Sequence, residues 1–186
     1  MPAGSVLLLT GAPGCGKTTV APFVADRHEL SACLDLDWFF AKLRRGAMDP
    51  WLEEAHAQNR VVLHAAAEAV AAFAHGGYFT VAEGILYPFM LDLFAAAAVP
   101  YGIATHYAVL RAPIEVAQQR VQDRRVEPQH AGALSDAAVV GDLWTQFELH
   151  GVAERHRVDV GTRGPAEVAG EIDRRLEAGD FRLEVG

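Results

Sequence analysis

The run Gly11-Ala12-Pro13-Gly14-Cys15-Gly16-Lys17-Thr18-Thr19 sets glycines, a lysine and a hydroxyl at the spacing G-x-x-x-x-G-K-[ST]. Each residue type has a reason to be there if the ligand is a polyphosphate. Glycines, lacking Cβ, let successive backbone N–H groups curl about a phosphate. A helix that follows adds the positive end of its dipole. Lys17 neutralises charge on the terminal phosphate oxygens, and the Thr18 hydroxyl suits Mg2+. The plain alternative is a chance glycine-rich turn. The flanks argue against it: the apolar run Val6 to Thr10 precedes the motif, helical residues follow it, and Lys17 is one of only two lysines among 16 basic residues.

Three further groups could do chemistry with such a ligand. Asp35 and Asp37 close a predicted second strand about twenty residues after the motif, where the strand ends of an open α/β sheet face a ligand crevice. If the strand extends that far, period-two alternation puts both carboxylates on one face. Asp37 lies further out and is the candidate base for an incoming hydroxyl, with Asp35 orienting it or a metal; the competing role is a cap for the next helix. Glu83 closes the third strand and is the candidate metal-side acid together with Thr18 and Asp35. Arg120, Arg124 and Arg125 lead into a polar segment, and Arg120 and Arg124, four apart, share a helical face. Such guanidiniums could offset charge on a transferring phosphoryl group; a solvated face paired with Asp123 or Glu127 is the alternative. Arg111 is a weaker candidate for nucleotide contact, and the loop Gly161-Thr162-Arg163 a guess at base reading.

The stretch Glu53 to Arg60 is unusually polar, and His56 and Asn59, three apart, are candidates to face an acceptor, as is Tyr87. The Trp38-Phe39-Phe40 cluster and Tyr87-Pro88-Phe89 read as core or as walls of an acceptor pocket. Cys15 reads better as a small loop filler than as a reactive thiol. The eight histidines show no zinc spacing.

The elements that must position these groups alternate between strand-length apolar runs and helical patterns, the signature of an α/β protein with a parallel sheet. Strands are predicted at Val6–Thr10, Ala32–Asp35, Tyr78–Ala82, Thr105–Leu110 and His156–Val160. Helices are predicted from Lys17, over Phe39–Arg45, over about Trp51–His75 (apolar almost all round in its second half and so read as buried), over Pro88–Ala98, after Ile114, up to about His150, and over Pro165–Leu176. Residues 38–60 form the candidate acceptor region and 124–136 a candidate lid, within one domain spanning 1–186.

Composition narrows the classes. The chain has 186 residues, 51% hydrophobic, with a net charge of −8. A disordered chain would be less apolar, and a nucleic-acid binder would usually be basic. Two cysteines cannot form a disulfide framework, so a cytoplasmic location is expected, with no membrane partner. A GTPase should show D-x-x-G and N-K-x-D, and neither occurs; the length leaves little room for the helical lid domain of an AAA-type motor.

GAPGCGKTT, LDLDWFF, VAEGILYPF and VLRAPIEVAQQRVQDR together resemble the P-loop small-molecule kinases of the nucleoside-monophosphate-kinase type, a group including shikimate, gluconate and adenylyl-sulfate kinases, chloramphenicol phosphotransferase and the zeta toxins. The resemblance implies a three-layer P-loop fold, a five-stranded parallel sheet of order 2-3-1-4-5, a short lid, and phosphoryl transfer from ATP with Mg2+ to a small-molecule hydroxyl. It places the base on Asp37 and lid arginines on Arg120 and Arg124. Glu83 stands where the group commonly has Asp. Two other readings stay open: a regulatory nucleotide-binding module without small-molecule turnover, and a zeta-toxin-like nucleotide-sugar kinase. The acceptor's identity and the oligomeric state stay open too.

Overall fold

The computed structural model describes residues 4–124 and 137–183. Its centre is β1 (Ser5–Gly11), whose Val6 to Leu9 are no more than 1% exposed. A strand apolar on both faces needs neighbours on both edges and helices above and below. Here β3 (Phe79–Glu83) and β4 (Ala104–Arg111) pair with it in parallel. The edge strands are β2 (Ser31–Asp35) and β5 (Arg157–Asp159), so the sheet runs β2-β3-β1-β4-β5, as the resemblance implied.

Right-handed crossovers fix which face each helix takes. The connection through α1 (Lys17–Ala25) runs towards β2, and α1 packs against the closing helix α7 (Pro165–Ala178). Connections in the opposite direction put α3 (His56–His75) and α4 (Leu91–Ala98) together on the other face. Between β4 and β5 lie α5 (Ile114–Arg124) and α6 (Ala137–Leu149). The predicted lid, 124–136, falls outside the described residues apart from the helical backbone of Arg124.

Four local expectations change. The second strand ends at Asp35, and Asp37 instead opens the four-residue helix α2 (Asp37–Phe40), so the two carboxylates do not share a strand face. The Asp35 carboxylate accepts the Asp37 backbone N–H at 2.8 Å, which turns the chain there. Helix Phe39–Arg45 is thus shorter and begins earlier. Helix α3 starts at His56, after a single 3-10 turn over Glu53–Ala55. It is amphipathic rather than buried all round: Val62, Leu63, Ala66, Ala67, Val70, Ala71 and Ala74 face inward, whereas Val61 and Phe73 are exposed. Arg60, His64 and Glu68, which step by four, lie on its solvent side.

After α7 the chain returns to the lower half of β4, where Tyr107 donates its N–H to Phe181 O at 2.8 Å and Leu183 to Thr105 O at 2.9 Å. Phe181 is fully buried there.

Candidate active site

The phosphate loop is made by backbone. Gly14 has φ +83°, and a Cβ on it would sit 2.2 Å from Ala117 O; one on Gly11 (φ +147°) would sit 2.4 Å from Leu110 O. Only glycine admits that approach to α5 and β4. Gly16, left-handed at φ +95°, caps α1 with no side-chain bond. No side chain caps the first turn of α1, and such a helix start suits an anion. Ala12, Pro13 and Cys15 are buried. Burial raises the Cys15 thiol above its ordinary pKa, more than the Lys17 charge lowers it, so the loop-filler reading holds. Thr19 is exposed, its N–H donated to Gly16 O.

Lys17 reaches back over the loop, its Nζ donating to Gly11 O at 2.9 Å and to Ala12 O at 3.4 Å. Below it lies Glu83, 3% exposed, in register with Leu9 on one side and Asp35 on the other. Burial pushes the Glu83 carboxyl up to about 7; Lys17 and the Thr18 hydroxyl pull it down, while Asp35 and Asp37 add to the rise. Asp37 stands at the solvent-exposed mouth. The protein packed about its carboxyl, and then the Asp35 charge, raise its pKa against the pull of Lys17. Lys17, Thr18, Asp35, Asp37 and Glu83 therefore form one electrostatic neighbourhood. Among the described residues no group of three or more His, Cys, Asp or Glu side chains could hold a metal ion. A divalent cation here would share its oxygen shell between Thr18, a carboxylate and phosphate, which suits Mg2+.

Arg120 joins this neighbourhood from α5, but at the root of the loop. Its Nη1 donates to Gly14 O at 3.4 Å and Nη2 to Gly161 O at 3.2 Å, tying the phosphate loop to the turn after β5. Arg124 lies one turn further along α5, and only its backbone is described; Arg125 lies outside the described residues. Arg111 pairs with Asp159 at 2.8 Å and Arg163 with Glu171.

Of the acceptor-side candidates, His56 and Asn59 lie in the first turn of α3 and Tyr87 in the loop after β3. Asn59 donates Nδ2 to Pro50 O at 2.7 Å, and its neighbour Gln58 clamps Met48 from both sides, N–H to Oε1 and Nε2 to O, each at 2.8 Å. Both side chains fasten the segment after α2 to α3. His56 is exposed at the first residue of α3 and makes no hydrogen bond, ion pair or ring contact among the described residues. Tyr87 is buried in an aromatic group, its ring centroid 4.7 Å from Phe147, 4.9 Å from His150 and 5.7 Å from Phe89. Its hydroxyl has no partner among the described residues, and burial pushes its pKa to about 12.

Other supports had no local signal in the sequence. Thr10 Oγ1 accepts the Leu86 N–H at 2.8 Å and the Tyr107 hydroxyl donates to Leu86 O at 2.9 Å, so β1 and β4 together fix the loop after Glu83. Trp144 Nε1 donates to Ala112 O at 3.0 Å, holding α6 against the start of α5.

Residues 6–148 match a family described as an AAA domain, and the chain belongs to that family. In architecture it is similar to small P-loop kinases. The Mycobacterium tuberculosis APS kinase in complex with AMPPNP and APS superposes with a TM-score of 0.66 at 19% identity, covering 95% of this chain and 99% of that one. The Acinetobacter baumannii shikimate kinase in complex with shikimate gives 0.62 at 17%, covering 96% of each. The Deinococcus radiodurans tunicamycin resistance protein gives 0.64 at 20%, covering 98% and 99%. No curated protein matches the sequence. The fold is thus the P-loop kinase fold. Among the described residues no helix is long and apolar enough to cross a membrane.

Proposed function

We propose that the protein transfers the γ-phosphoryl group of ATP to a hydroxyl of a small molecule in the cytoplasm, with Mg2+ as the metal. One observation carries this reading: Lys17, a phosphate-loop lysine, acts electrostatically on both Glu83 and Asp37. The phosphate end of one substrate and the proton acceptor for another therefore face the same space. The uncapped amides of α1, Lys17 and the Thr18 hydroxyl hold the phosphates, and Glu83 or Asp35 completes the metal side. Asp37 takes the proton of the attacking hydroxyl as its oxygen bonds to phosphorus and the bond to ADP breaks. Its raised pKa brings it nearer the operating range of a general base. Arg120, with Arg124 beyond it, offsets charge on the transferring group.

The test is acceptor-dependent ADP formation across a metabolite library, repeated with Lys17→Ala and Asp37→Asn. Loss of the base should lower kcat by about 100-fold or more, with ATP binding kept. Full phosphotransfer by Asp37→Asn would show that the base lies elsewhere.

A further inference from the structure

The segment leading from Asp37 to α3 exposes large apolar side chains beside the candidate base. Trp38, the residue after Asp37, is 54% exposed, Met48 39%, Trp51 46% and Leu52 43%. Two of the chain's three tryptophans lie here. The segment is built to keep this surface: Gln58 and Asn59 hold Met48 and Pro50 by three hydrogen bonds. Trp38 is also fixed, edge-on to Phe39 with ring centroids 5.3 Å apart and with Lys42 Nζ 4.1 Å from its ring centroid. In this segment the Gln58 amide and Asn59 Nδ2 bind backbone, and the ring next to Asp37 is that of Trp38. Apolar and aromatic surface at the carboxyl end of a strand in an open α/β sheet is where a ligand's body packs.

Resting on the phosphotransfer reading, we infer that the acceptor is a hydroxylated compound with a flat apolar body, aromatic or fused-ring, that stacks on Trp38 and presents its hydroxyl to Asp37. Small sugars and open-chain polyols, which offer little flat apolar area to that ring, are the poorer acceptors. Trp38 is the specificity-determining residue.

The experiment uses the full chain with ATP and Mg2+ and a panel of aromatic and fused-ring alcohols set against sugars and linear polyols. It reads ADP formation and tryptophan fluorescence in parallel. Aromatic alcohols are expected to quench fluorescence saturably and to stimulate ADP release. Trp38→Ala should raise their KM by about 10-fold or more, Trp38→Phe should restore most of it, and Trp144→Phe should leave the quench in place. Trp38 is exposed, so these variants are expected to fold. Stimulation by polyols but not by aromatic alcohols, or an unchanged KM in Trp38→Ala, overturns the inference and leaves phosphotransfer standing. Saturable quenching lost in Trp38→Ala without ADP formation supports the aromatic site and overturns phosphotransfer.

Discussion

The two halves of the candidate site are built by different physics. On the phosphate side, from β1 into α1, the site is backbone: glycines at positive φ, packed within van der Waals reach of β4 and α5, with no side chain capping the first turn of α1. On the acceptor side, from β2 into α3, the site is side chain: Asp37, Trp38 and Trp51 stand exposed on a segment tied down by Gln58 and Asn59. A backbone site tolerates almost no change in residue type, whereas a side-chain site keeps its scaffold and changes what it recognises. That contrast predicts steep losses on the first side and graded ones on the second.

The largest effect should follow Gly14→Ala. The new Cβ would meet Ala117 O at 2.2 Å in a left-handed conformation, and Ala117 O is helix backbone that cannot swing away. A cost of about 3 kcal/mol or more in stability, and loss of ATP binding by calorimetry, are expected. Normal nucleotide affinity in this variant would show that the loop does not need its close approach to α5.

Glu83 sits on the border between the halves, and its charge state separates them. Its pKa is raised in the folded protein, to about 7. A raised acid favours folding most when protonated in both states, so its contribution is present below the ordinary carboxylate range and is lost as pH rises towards 7. Glu83→Gln removes that dependence. The variant should gain stability relative to the wild type between pH 4.5 and 7.5 by on the order of 3 kcal/mol, read as the pH dependence of the denaturation midpoint. Parallel pH curves for the two proteins would mean that the Glu83 carboxyl is not perturbed.

The same contrast decides what could be read in advance. The phosphate loop was legible because its function constrains residue type at fixed spacing, and the strands because a doubly buried parallel sheet needs continuous apolar runs such as Val6 to Leu9. The acceptor side was not. Asn59 looked like a substrate contact, but whether an amide faces a ligand or a backbone carbonyl depends on where the chain nine residues earlier has folded back. Arg120 was singled out for the phosphate side, yet its bond to Gly161 O needs the turn after β5, which no local pattern announces. Thr10 and Tyr107 escaped notice for the same reason: their common partner, Leu86, is brought to them by the sheet. Asp37 was placed on a strand because alternation continues formally through Leu36. The Asp35 side chain ends the strand by accepting the Asp37 N–H, a local bond that competes with the ladder.

The smallest effect should come from the acceptor side's own fastening. Gln58→Ala removes two hydrogen bonds that hold Met48, both partly open to water, so the global cost should stay within about 1–2 kcal/mol. The consequence should be local instead. Backbone amides of residues 44–52 should exchange faster, and cleavage by a protease should rise there before anywhere in the sheet. ATP affinity should stay within about twofold, because sites without shared partners act independently. If Gln58→Ala weakened ATP binding as strongly as a phosphate-loop variant, the two halves would be one cooperative unit. If it left exchange in 44–52 unchanged, the segment would be held by something other than its clamp, and Trp51 would owe its exposed position to the turn itself.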